Sequence, residues 1–268
     1  MNQKCWICGS NSDSGEHKFK ASDLKRNYGK KFKKHNLTYI SGNDEPINLQ
    51  SYKPKELIFP KVICVNCNVK VTCPHDTAYD IFVKYIESNY NLMFTQKSID
   101  FEKVYGRKWL DGKKDLYRYF AKHAGCKVVT AGTPYDLGDL ADFILGKSHS
   151  DNLKIHFQLK EGLYFLVKRL NENIKYAHAY NGSTSYFGDN INALSYCGWS
   201  SYQWVSTNWI LSHNINKSSN DYSNNIQPLE IKYFGHCKPF NENMKFDELL
   251  KNVEYQGIER WRKKSDIL

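Results

Sequence analysis

The sequence predicts an α+β protein with an N-terminal part organised by paired cysteines, a short helical middle and a mostly antiparallel β region towards the C-terminus. Three observations predict it. Two Cys-x-x-Cys pairs, Cys5/Cys8 and Cys64/Cys67, bracket a polar, basic tract. Between about 76 and 146, apolar residues recur at three- and four-residue steps, the period of an amphipathic helix. After about residue 152 the period falls to two, in runs of aromatic and β-branched residues separated by Asn, Gly and Ser. The 268 residues allow one or two domains. The composition shifts divide them into 1–95, a helical connector at 96–150 and a mainly β part at 151–268.

The first element is the cysteine set. A Cys-x-x-Cys turn lets two thiolates grip one ion, and two such turns complete a tetrahedron, so Cys5, Cys8, Cys64 and Cys67 are expected to hold a structural Zn²⁺. The 55 residues between the pairs form an insertion between two knuckles. Cys73, Cys126, Cys197 and Cys237 lack paired spacing and read as core residues. The opening residues MNQKCWICGS have no apolar leader, and no apolar run is long enough to span a bilayer. A cytoplasmic protein with reduced cysteines and no membrane partner is therefore expected.

The second element is charge. The net charge is +10, and eight basic residues lie between 18 and 34 against a single acid, Asp23. A polyanion is the simplest partner, with Lys18, Lys20, Lys25, Arg26, Lys30 and Lys31 as phosphate contacts. A lysine-rich composition with a solvated basic face would give the same numbers. The tract 35–60 reads as a loop or loose hairpin around SGNDEP.

Helices follow at 76–90, 113–125 and 134–146, the first entered through Pro74 and capped by Thr72 or Asp76, the other two ended by glycine. Strands are expected at 153–159, 162–168, 174–180, 192–199, 202–211 and 229–235, and a closing helix at 244–253. The aromatic stretch at 195–209 reads either as a base-stacking surface or as the core of a sheet. By its position the C-terminal part is the natural candidate for target selection.

His17, in EHKFKASDL, has three readings from its neighbourhood: zinc ligand, surface residue or general base. Four thiolates already fill a zinc tetrahedron, which releases it from ligand duty. The order is then knuckle, Glu16-His17, basic tract, knuckle, Asn68 and helix, the last three in CVNCNVKVTCPHDTAYDIF. In this order residues 1–90 resemble the HNH endonucleases, the ββα-metal nucleases, in the zinc-bearing variant with a Glu-His pair. The resemblance implies an N-terminal ββα-metal module that hydrolyses phosphodiester bonds, in DNA rather than RNA, in host defence or a mobile element. It implies His17 as the general base, with Glu16 and Asn68 holding a catalytic Mg²⁺ or Mn²⁺. His75 and Asp76, at the helix entry, are further candidates for that metal site. The middle Asn of the HNH pattern is missing: Phe59 stands at its position, and Asn48 lies too far upstream. Orientation of His17 would then fall to a backbone carbonyl or to another residue. The rival reading is a non-catalytic, zinc-stabilised nucleic-acid-binding or regulatory protein.

Overall fold

The computed structural model describes residues 3–32, 38–39, 47–171, 179–188, 193–213, 220–231, 243–245 and 247–248. The fold is α+β, with seven α-helices among the described residues. After the first cysteine knuckle the chain runs extended through residues 14–17 and enters α1, Ala21–Tyr28. A two-stranded ribbon follows, β1 (Thr38–Tyr39) against β2 (Ile47–Asn48). The chain returns extended through 58–63, antiparallel to 14–17, with Ser14 opposite Ile63 and His17 opposite Ile58. The second knuckle then winds into a π-helical turn, Asn66–Val71, and directly into α2, Cys73–Ser88.

Helix α2 begins three residues earlier than the apolar period indicates. Pro74 sits in its first turn, where a missing N–H costs nothing. Neither predicted cap acts through its side chain: the Thr72 hydroxyl donates back to the Asn68 carbonyl at 3.1 Å, and the Asp76 carboxylate turns to lysines. Ala78, Tyr79, Phe82, Val83 and Ile86 form the buried stripe of the helix.

Two short helices, α3 (Tyr90–Gln96) and α4 (Phe101–Tyr105), flank β3 (Ser98–Asp100). The long helix α5 spans Trp109–Ala131, well beyond the predicted 113–125. Gly125, read as its terminator, lies inside it and serves packing instead. A Cβ there would stand 2.2 Å from the Trp6 ring, so the missing side chain is what lets the first knuckle seat on α5. Gly125→Ala gains up to about 1 kcal/mol of helix propensity, but overpacking against a rigid indole costs about 1–3 kcal/mol. The variant is expected to melt at lower temperature than wild type, and an unchanged melting temperature would show that the knuckle shifts freely. Helix α6, Gly138–Leu145, completes the middle of the chain.

The main sheet has the order β5-β6-β7-β4-β9, comprising β4 (Leu153–Leu159), β5 (Ala179–Gly188), β6 (Ala193–Tyr202), β7 (Val205–Ser212) and β9 (Glu230–Ile231). Its pairs are antiparallel except β4 with β9. A separate pair joins β3 to β8, Ile226–Pro228. In β4, Leu153, Ile155, Phe157 and Leu159 alternate inward, as their spacing predicts. Phe157 packs among Phe82, Phe101, Tyr117 and Phe120, fixing the sheet on α2, α4 and α5.

The expected strand at 162–168 is instead helix α7, Glu161–Asn171. Leu163, Tyr164, Leu166 and Val167 are buried, at helical spacing, and Lys168 and Arg169 suit its C-terminal dipole. A short apolar run does not distinguish the two periods. Residues 174–178 and 232–235 of two predicted strands, and 246 and 249–253 of the predicted closing helix, lie outside the described residues, as do 33–34 and 41–46. Of the aromatics at 195–209, Tyr196, Tyr202, Trp204 and Trp209 are core, while Trp199 is half-buried beneath the Lys160 ammonium, 3.6 Å from its ring. Among the described residues no helix is long and apolar enough to cross a membrane.

Candidate functional site: a cysteine cluster beside a histidine recess

The two Cys-x-x-Cys turns meet although 55 residues separate them in sequence. The Sγ atoms of Cys5, Cys8, Cys64 and Cys67 all lie within 4.8 Å of one another. Cys8 and Cys64 are 3.6 Å apart, close to the roughly 3.8 Å edge of a tetrahedron with 2.3 Å metal–sulfur bonds. Backbone bonds shape each turn: Gly9 N–H donates to the Cys5 carbonyl at 2.8 Å, and Cys67 N–H points at Cys64 Sγ at 3.4 Å. Trp6 N–H reaches the Val62 carbonyl at 3.2 Å and ties one knuckle to the other. Burial raises the Cys5 and Cys67 thiols, while bonds from Ser10 pull Cys8 down to about 6. Such a set of converging soft donors could hold a metal such as zinc. The other cysteines take no part: Cys126 is buried, Cys197 half-buried and Cys73 exposed rather than in the core, and Cys237 lies outside the described residues.

One turn away, Glu16, His17, Lys20, Ala21, Ser22, Asn68 and Asp76 line an open recess of about 270 Å³. The paired extended segments set its back wall. Phe59 N–H donates to the Glu16 carbonyl at 2.8 Å and Lys18 N–H to the Leu57 carbonyl at 2.7 Å. Gly15 permits this approach, because a Cβ there would stand 2.4 Å from the Phe59 carbonyl oxygen.

His17 is held by its own backbone ladder, and the Tyr52 main chain beside the imidazole favours its protonated form. Its Nε2 is buried and has no hydrogen-bond partner among the described residues. Burial lowers the imidazole pKa below its ordinary value, against an opposing pull from Glu16. The ring is therefore mainly neutral at neutral pH, the charge state a general base needs. Phe59 is buried and touches His123 edge-on, while Asn48 is exposed on β2.

Asn68 donates its amide to Ser14 Oγ at 2.9 Å and to the Gly15 carbonyl at 3.3 Å. This fixes the side chain and leaves its oxygen without a partner among the described residues, which fits a hard-cation donor. Glu16 is buried and already engaged, with Oε2 2.8 Å from Lys122 Nζ and Oε1 3.7 Å from His123 Nε2. Burial opposes its ionisation, but the Lys122 ammonium outweighs that and holds the carboxyl well below the usual carboxylate range. Its oxygens have the right chemistry for Mg²⁺ or Mn²⁺, and they share a cation now. Asp76 lines the recess, with Oδ1 3.1 Å from both Lys20 and Lys122. His75 does not line it: buried, with Nε2 3.7 Å from Asp115, it is lowered to about 3 by burial and by Arg118 and Lys122.

The basic run divides in the same way. Lys20 and Arg26 are internal ties, Lys20 to Asp76 and Asp80, and Arg26 to Asp23 at 2.7 Å and Glu87 at 2.9 Å. Lys18 lies 3.4 Å from the Tyr39 hydroxyl. Lys25, Lys30 and Lys31 are exposed, with Lys25 over the Tyr52 ring at 4.1 Å. Sequence reading missed Tyr52, Lys122 and His123. A main-chain group has no sequence signal, and Lys122-His123 lies 105 residues from Glu16-His17 with no metal-ligand spacing.

Asp23, on the buried face of α1, also accepts from the Tyr79 hydroxyl at 2.9 Å. Burial raises it to about 6 despite Arg26. A carboxyl raised above its unfolded value near 3.8 contributes stability at low pH and loses it as pH rises through the folded value. Between pH 4.5 and 7, wild type is expected to lose about 2 kcal/mol relative to Asp23→Asn in urea unfolding of metal-saturated protein. A pH-independent difference would show that Asp23 does not titrate there.

In the comparisons with known proteins, no family model, no curated protein and no solved structure matches this chain.

Proposed function

We propose that the N-terminal part is an HNH-type nuclease module, stabilised by a zinc ion on Cys5, Cys8, Cys64 and Cys67 and acting on nucleic acid, DNA in preference to RNA. One observation carries the reading: His17, Glu16 and Asn68 share one recess, on a pair of antiparallel segments that feed a helix beside a four-cysteine cluster. This arrangement supports the ββα order which the sequence resemblance implies, and burial lowers the His17 pKa, which favours its neutral form.

In this reading the His17 imidazole takes a proton from water as the water's oxygen attacks phosphorus. Asn68 and Glu16 would hold Mg²⁺ or Mn²⁺, which as a Lewis acid would offset charge on the leaving oxygen. The exposed Lys25, Lys30 and Lys31 are the phosphate contacts. Host defence or a mobile element would be a fitting setting, with the C-terminal sheet selecting the target.

The commitment of Glu16 to Lys122 favours a second reading, a zinc-stabilised nucleic-acid-binding or regulatory protein that does not cut. Plasmid DNA incubated with Mg²⁺, Mn²⁺ or EDTA separates the two. Cleavage that needs the divalent ion and disappears in His17→Ala supports the nuclease. Retention of plasmid in a gel shift, with no cleavage under any metal, replaces it with the binding protein.

A further inference from the structure

The candidate metal ligand Glu16 and its neighbour Asp76 already surround one cation, and that cation is part of the chain. Lys122 Nζ lies 2.8 Å from Glu16 Oε2, 3.1 and 3.2 Å from the two oxygens of Asp76, and 3.2 Å from Thr72 Oγ1. The side chain is completely buried. Four oxygens from three residues, on two segments of the chain, therefore converge on a single ammonium, the kind of donor set a hard divalent ion takes. Beside it, His123 is 9 % exposed and its Nε2, without a hydrogen-bond partner among the described residues, faces Glu16 Oε1 at 3.7 Å. Lys20 adds a second ammonium on Asp76 from the recess side.

We propose that Lys122 is a positioning residue that occupies the cation place between Glu16 and Asp76 and thereby sets how tightly the recess binds a divalent ion. The inference rests on the reading of Glu16 as a metal ligand. The two ammonium groups already offset the Glu16 and Asp76 carboxylates, with Lys20 shared with Asp80, so an incoming ion must draw Glu16 away from a buried partner. Losing that pair leaves an uncompensated charge in a low-dielectric place, which makes the exchange costly. The helix carrying Lys122 is thus part of the site, although it lies outside the stretch that resembles a nuclease.

The test is Mn²⁺ binding to zinc-loaded protein, followed by the loss of the free-ion signal in electron paramagnetic resonance. Mn²⁺ prefers oxygen donors and reports on the recess rather than on the thiolates. Lys122→Met removes the ammonium and keeps most of the volume. It is expected to bind Mn²⁺ at least tenfold more tightly than wild type, and Lys122→Met with Glu16→Gln is expected to lose that gain. Should Lys122→Met fold only when Mn²⁺ is supplied, the ion is standing where the ammonium stood, and the inference holds. A folded Lys122→Met no tighter than wild type overturns it. So does a protein that fails to fold with or without Mn²⁺, because the carboxylates then accept no ion in place of the lysine. Cleavage is not read in this experiment, so a failure of the nuclease reading is a separate result.

Discussion

Cys67→Ser is expected to abolish binding of the thiolate-held metal and to unfold the N-terminal part of the chain. Cys67 is fully buried, and its sulfur is one of four that converge. Structural zinc contributes on the order of 10 kcal/mol of apparent folding free energy in small zinc modules. A domain has only about 5–15 kcal/mol in total, so losing a ligand consumes most of the margin. The damage should spread, because Cys5, Ile7, Cys64 and Cys67 belong to the same buried cluster as Phe82, Phe157 and Trp204. Metal content by elemental analysis should fall from one zinc per chain towards none, with new protease sensitivity in residues 3–32. Cys73→Ser is the control, since Cys73 is exposed and outside the cluster. A Cys67→Ser protein that kept its zinc and its melting temperature would show that three thiolates suffice, and the tetrahedral reading would fail. Acid should imitate the substitution, because thiolates must lose their protons to bind.

The parts of this structure legible in the sequence are those that local chemistry encodes. Cys5/Cys8 and Cys64/Cys67 announce a metal site by spacing alone, and their sulfurs converge as expected. Strand β4 is legible because one of its faces is buried and strict alternation follows. The α7 segment was not, because Leu163, Tyr164, Leu166 and Val167 form a run too short to show its period, and its context decides the outcome. Gly125 was misread for a related reason: glycine near an apparent helix end marks termination in general, whereas here Trp6, 119 residues upstream, requires the space. In the recess, residue identities at 16, 17, 68 and 76 were legible, but their charge state was not. It depends on Lys122 and on the main chain of Tyr52, which only the fold brings to them. The basic run shows the same limit. Composition counts Lys20 and Arg26 as free positive charge, while the fold pairs Lys20 with the half-buried Asp76 and Arg26 with the buried Asp23.

For His17→Ala, the nuclease reading predicts a loss of cleavage of about 10²–10⁴-fold, the usual contribution of a positioned general base. Zinc content and plasmid retention should change little, since His17 belongs to neither the cysteine cluster nor the exposed lysines. The pH profile separates base catalysis from a loss of shape. A base works in its neutral form, so the rate climbs as the imidazole deprotonates and then levels off. Burial lowers the pKa of His17, which places that climb below the ordinary imidazole value near 6.5. Wild type should therefore keep more than half of its plateau activity at pH 6.5, and the acid limb should vanish in His17→Ala, leaving a small residual rate with no step there. A limb that persisted in the variant would belong to another group. His123 is the first candidate: it too is held neutral by burial, and its Nε2 lies 3.7 Å from Glu16. In that case the proton would leave through α5 rather than through the extended segment, and His17 would be a structural residue beside Tyr52.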